Sequence, residues 1–94
     1  MRLRNVKGSK EIIESSKYII LNPEENKGKW KDVFSNNNPI CLELGMGRGS
    51  FIIEMAKKHP NINYIGLELD SSQTATAINN IKNQNISNLR MICA

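Results

Sequence analysis

A chain of 94 residues suffices for one small domain and is short for a complete doubly wound nucleotide-binding domain. Hydrophobic residues make up 39% of it, and no apolar run approaches membrane-spanning length, so no membrane partner is expected. The net charge of +4 is uneven: residues 1–31 hold eight Lys/Arg against four Glu, and residues 32–94 hold five against five, which marks the N-terminal part either as a solvated basic tail or as a contact for a polyanion.

The opening Met1-Arg2-Leu3-Arg4 is basic and runs into polar sequence, so it is no signal peptide. Arg2 to Gly8 reads as a mobile arm. Ser9 is placed to cap a short helix through Ser16, with Ile12 and Ile13 on one side. Tyr18-Ile19-Ile20-Leu21 is an apolar run stopped by Asn22-Pro23, and Glu24 to Gly28 reads as loop. Trp30, Val33 and Phe34 recur at i, i+3, i+4, a helical face that carries most of the aromatic mass and is assigned to core packing. Ser35 to Pro39 is a polar turn leading into a strand, Ile40 to Leu44. Ser50 to Lys58 follows as a helix with Phe51, Ile52, Met55 and Ala56 inward; Lys57, Lys58 and the lone His59 suit its C-terminal end, and Pro60 stops it. Asn63 to Leu69 is a second strand, Asp70-Ser71-Ser72 starts a second helix with Ala75, Ile78 and Ile81 buried, and Leu89 to Cys93 is a third strand. Cys41 and Cys93 both fall in strand-like runs and read as reduced core thiols of a cytoplasmic protein.

The β-α-β-α-β pattern implies a parallel sheet with right-handed crossovers, in the order 3-2-1. Gly45-Met46-Gly47-Arg48-Gly49 joins the first strand to its helix, at the place where α/β sheets hold cofactors. It is Gly-x-Gly-x-Gly; the dinucleotide fingerprint wants its third glycine one place later, where this chain has Ser50. Glu43 stands two residues before the first glycine, where an acid repels a pyrophosphate and suits an ammonium group. Glu68 ends the second strand, 23 residues after Gly45, where a carboxylate can take both hydroxyls of a ribose. A ligand with an adenosine ribose, an amino-acid end and no phosphate is S-adenosylmethionine. Its site residues are then Glu43, Gly45, Gly47, Gly49 and Glu68. Another nucleotide cofactor is the alternative, as is a purely structural pair in which Glu43 caps the turn and Glu68 meets a lysine. No metal is expected.

The sequence resembles the bacterial tRNA (guanine-N7)-methyltransferases, over essentially all 94 residues. The resemblance is carried by Met1-Arg2-Leu3-Arg4, by Asn22-Pro23 with Lys27-Gly28-Lys29-Trp30, and by Glu43 through Phe51. Met55-Ala56-Lys57 and Asn61-Ile62-Asn63-Tyr64-Ile65-Gly66-Leu67-Glu68 extend it. The glycine loop is common to many methyltransferases; the Asn-Tyr-Ile-Gly-Leu-Glu strand and the Lys-Gly-Lys-Trp segment are more specific. What the resemblance implies is S-adenosylmethionine held by Glu43 and Glu68, and methyl transfer to nitrogen 7 of a guanine in tRNA. Met46 departs from the small residue the pattern wants, and its side chain has room to point away from the ligand.

The fold implied is the N-terminal βαβαβ half of a Rossmann-like S-adenosylmethionine-dependent methyltransferase, with an N-terminal helical segment. Residues 1–38 would form the basic arm and that segment, and residues 39–94 the first half of the methyltransferase domain. The family's later acid near the adenine, its proline- and tryptophan-containing motif with an aspartate, and its basic tRNA-holding residues have no counterpart here. No catalytic residue is therefore expected in these 94. Arg2, Arg4, Lys7 and Lys10 are the candidate contacts to tRNA phosphates. A methyltransferase acting on a small molecule or protein, and a non-enzymatic interaction module, remain as alternatives. The chain by itself is expected to lack activity, to leave one sheet face bare and to self-associate, the whole protein being a monomer or homodimer.

Overall fold

The computed structural model describes residues 8–94; Arg2, Arg4 and Lys7 lie outside the described residues. Three strands, β1 (Ile40–Leu44), β2 (Asn63–Glu68) and β3 (Leu89–Cys93), form one parallel sheet in the order β1-β2-β3. Leu42 lies opposite Ile65 and Ile65 opposite Arg90, while Leu44, Leu67 and Ile92 make the next row. Partners in a parallel register point to the same face, so each row is a line of side chains across the sheet. The helices are α1 (Ser9–Ser15), α2 (Trp30–Phe34), α3 (Ser50–Lys58) and α4 (Ser71–Ile81), with a 3₁₀ turn at Pro23–Asn26 that overlaps the segment expected as loop. Gly8, not Ser9, occupies the N-cap of α1; its left-handed φ of 79° turns the chain into the helix and lets Ser9 be buried as the first helical residue.

One face of the sheet carries the main core. Ile52 and Ala56 of α3 and Ala77, Ile78 and Ile81 of α4 pack there against Tyr64, Leu89 and Met91, and Ile13 of α1 joins the same cluster. Two crossovers of one hand, run in one direction, bring α3 and α4 to the same side. The opposite face is not wholly bare, which corrects the expectation from sequence. Phe34 packs there with Ile20, Ile65 and Ile92, flanked by Trp30, Val33 and Leu67. The aromatic face of α2 thus covers β2 and β3.

β1 is an edge strand, and its apolar residues stay open on that account: Leu42 is 58% and Leu44 70% exposed. The same position explains two further corrections. Cys41 is exposed rather than a core thiol, and Phe51 is 65% exposed because the first turn of α3 hangs beyond the sheet edge. Both cysteines are free. The other edge of the sheet is occupied. Met91 N donates to Tyr18 O at 2.7 Å and Ile20 N donates to Met91 O at 2.9 Å, so the run Tyr18 to Ile20 lies beside β3 as a short parallel segment.

Candidate cofactor site

The glycine loop hangs from the end of β2. Gly45 N and Met46 N both donate to Leu67 O, at 2.8 and 3.0 Å, and Gly47 N donates to Glu68 Oε1 at 2.8 Å. The second oxygen of Glu68 accepts from Asp70 N at 3.0 Å. Glu68 therefore ties the loop after β1 to the turn after β2, and it meets backbone amides rather than a lysine. Each of its oxygens has a second lone pair for another donor. Asp70 caps α4, with its Oδ1 accepting from Ser72 N at 2.8 Å and Gln73 N at 3.4 Å.

The loop needs glycine for two reasons. Gly45 and Gly47 have φ of 70° and 61°, a left-handed backbone that side chains resist. Among the described residues, nothing stands within 4 Å of where their Cβ atoms would be, so the loop presents a bare backbone surface to open space. Gly49 is different. It is the N-cap of α3, and a Cβ there would come within 3.2 Å of Ile53 Cδ1 and 3.4 Å of Ala77 Cβ. The third glycine serves helix packing and the first two leave room.

Met46 is buried and lies over Gly66, where any Cβ would collide with its thioether sulfur. The side chain thus points into the core and away from the open side of the loop. Gly66 has a role that sequence reasoning missed: a glycine in mid-strand signals a close approach, here of Met46. Glu43 lies opposite Gly66 in the β1–β2 register. Its Oε1 is buried and has no hydrogen-bond partner among the described residues. A buried carboxylate oxygen without a donor is costly, and the group it best suits is a cation or a strong donor brought from outside.

Glu43, Glu68 and the three loop glycines are thus brought to one end of the sheet, the C-terminal ends of β1 and β2. Lys10 is exposed on α1 and is not among them. Among the described residues no group of three or more His, Cys, Asp or Glu side chains could hold a metal ion. None of the helices described is long and apolar enough to cross a membrane.

The chain's relatives can be set beside this geometry. A family profile described as "Putative methyltransferase" matches residues 37–94. Curated proteins named tRNA (guanine-N(7)-)-methyltransferase match the chain closely. The one from Lachnoclostridium phytofermentans is 55% identical over 78 residues, covering 83% of this chain and 36% of that protein. The one from Geobacillus sp. strain WCH70 is 48% identical over 93 residues, covering 98% and 42%. The one from Streptococcus pneumoniae strain 70585 is 43% identical over 93 residues, covering 98% and 44%. The chain therefore spans less than half the length of these relatives. Among solved structures, Haemonchus contortus phosphoethanolamine N-methyltransferase 2, in complex with S-adenosyl-L-methionine, superposes with a TM-score of 0.52 at 19% identity. That match covers 76% of this chain and 17% of the other, and it shows a shared Rossmann-like half-fold. The three strands, the glycine loop and both acids all fall inside the matched residues 37–94, and the chain belongs to this methyltransferase family.

Proposed function

We propose that these residues form the cofactor-binding half of an S-adenosylmethionine-dependent tRNA (guanine-N7)-methyltransferase. Residues 39–94 would be the cofactor half proper, and residues 1–38 a basic arm and helical segment that supports it. The observation that carries the reading is the identity to proteins of that name over 98% of this chain. The geometry supports the cofactor. The orphaned Oε1 of Glu43 fits the ammonium of the methionine end, and the bare backbone at Gly45 and Gly47 accepts a ligand at close range. The free lone pairs of Glu68 fit the ribose hydroxyls.

The cofactor would supply a methyl group on a sulfonium centre. The chain's own residues would bind and orient it: Glu43 through charge, Glu68 through hydrogen bonds, the loop through its fixed backbone. Nitrogen 7 of guanine has a lone pair and no proton, so attack on the methyl needs no general base. Alignment and exclusion of water then carry the rate, and rigid positioning is what this half offers. Glu68 serves twice, because its Gly47 and Asp70 bonds hold the loop in the shape the cofactor meets.

The test is calorimetry of S-adenosylmethionine binding to the intact protein and to Glu68→Ala. A loss of about 1–3 kcal/mol in binding free energy is expected for removing charge-assisted hydrogen bonds. Unchanged affinity would remove Glu68 from the site.

A further inference from the structure

The glycine loop, residues 45–49, has two side chains, and only one of them is buried. Gly45, Gly47 and Gly49 have none and Arg48 is exposed, while Met46 belongs to the main core cluster. Every handle of Met46 is engaged. Its N donates to Leu67 O at 3.0 Å, its carbonyl accepts from Gly49 N at 3.0 Å, and its side chain lies on Gly66. The next residue, Gly47, donates to Glu68 Oε1. The seat on Gly66 is close: a Cβ there would collide with Met46 Sδ and come within 3.2 Å of both its Cβ and its Cγ. In the row Glu43–Gly66–Met91 the middle place has no side chain of its own, and the Met46 thioether fills it. Partners in a parallel register share a face and neighbouring strands lie about 4.8 Å apart, so the sulfur stands one place along from Glu43. Glycine in mid-strand weakens the strand and leaves room, and here the room is taken by the loop.

We propose that Met46, seated on Gly66, is a positioning residue for the methyl-donor cofactor. The contact sets the height of the glycine loop over β2, and with it the reach of Gly47 to Glu68 and the wall beside Glu43. This rests on the cofactor reading above and goes beyond it, because the Met46 side chain points away from the open side of the loop and acts only through what it holds. The two positions work as one fitted pair. A larger residue at 66 drives the thioether out and lifts the loop; a smaller one at 46 leaves the loop without a side-chain anchor. Small displacements matter here, because a misplacement of about 1 Å in a positioning element costs up to about 100-fold in rate.

The experiment is a double-mutant cycle in the intact protein, read by calorimetry with S-adenosylmethionine and by amide exchange at Gly47 in the ligand-free state. Gly66→Ala should weaken binding about tenfold or more, and Met46→Ala about threefold to tenfold. In both, exchange at Gly47 should quicken about tenfold, because its bond to Glu68 opens more often. The two changes together should bind better than Gly66→Ala, because the new methyl enters the space the thioether has left. Met46→Ala thus harms the unaltered protein and helps the Gly66→Ala variant, a reversal that a plain loss of core packing does not produce. Met46→Leu, which keeps the volume, should bind within about threefold of the unaltered protein. Ile81→Val, which thins the same core at the far end of α4, should lower the melting temperature and leave both readouts alone. Where Gly66→Ala does not fold, Met46→Ala against Met46→Leu decides: only the first should quicken Gly47 exchange. The proposal is overturned if Met46→Ala leaves Gly47 exchange and cofactor affinity unchanged, or if the double variant binds no better than Gly66→Ala. Absence of binding by the unaltered protein would overturn the cofactor reading itself; binding that the variants do not change would overturn only the seat.

Discussion

Glu43 and Glu68 are two carboxylates on neighbouring strands, and the fold treats them oppositely. Both oxygens of Glu68 are met by backbone amides, so its charge is compensated within the chain. Glu43 has a buried oxygen with nothing to accept from among the described residues. That contrast gives a prediction in which two measurements move in opposite directions. Glu43→Gln keeps the size and removes the charge. It should raise the thermal stability of the ligand-free protein by up to about 1 kcal/mol, because an uncompensated charge next to the core is relieved. On the proposed placement of the methionine end beside Glu43, the same change should weaken S-adenosylmethionine binding about tenfold or more, because the ammonium would lose its counter-charge. Melting and calorimetry on one pair of proteins check both. A variant that loses stability and binding together would make Glu43 a structural residue.

Local pattern sets most of the elements. Strand β1, helix α3 and strand β3 begin and end where residue periodicity puts them, because each is fixed by a turn signal beside it: Pro39, the glycine loop, Pro60 and the Asn-rich stretch before Leu89. The glycine loop was legible for the same reason, and so was the position of each acid at the end of its own strand; that Glu68 reaches across 21 residues to Gly47 is seen only in the fold. What sequence leaves dark is long-range. The run Tyr18 to Leu21 names an apolar segment but not its partner, and only the fold shows that it closes the β3 edge. Tyr18 is the anchor. Its hydroxyl donates to Gln84 O at 2.8 Å and accepts from Ile86 N at 3.1 Å, so one side chain satisfies two backbone groups of the α4–β3 loop from 66 and 68 residues away. Asn88 is a similar case: its amide nitrogen lies within 3.1 Å of the carbonyls of Ala56, His59 and Ile62, clamping the exit of α3 to the entry of β2. Tyr18→Phe keeps the ring and strands both loop groups. It should cost about 1–3 kcal/mol in a denaturant melt, the usual penalty for buried groups left unpaired. A loss below about 0.5 kcal/mol would mean that water reaches the loop and replaces the hydroxyl.

The molecule as a whole separates its charges. The loop end of the sheet presents Glu43 and Glu68, while the cationic excess belongs to residues 1–31. The two are not far apart in the fold. Gly8, Ser9 and Lys10 share a cavity with Ser71 and Cys93, at the start of α4 and the end of β3, and so stand at the same end of the sheet as the glycine loop. Arg2, Arg4 and Lys7 precede Gly8 in the chain. The arm has no aromatic residue before Tyr18, so it is suited to backbone phosphates rather than to stacked bases. Changing Arg2, Arg4, Lys7 and Lys10 together to glutamine in the intact protein should therefore weaken tRNA binding across sequences alike. The slope of log affinity against log salt should flatten by about 0.7–0.9 for each phosphate that is no longer neutralised, up to roughly 3 in all. Cofactor affinity should stay the same, since none of the four side chains lies among the residues proposed to hold it. Filter binding at several salt concentrations reads the slope and calorimetry reads the cofactor. A slope that does not change would show the arm to be solvated and the tRNA to be held elsewhere.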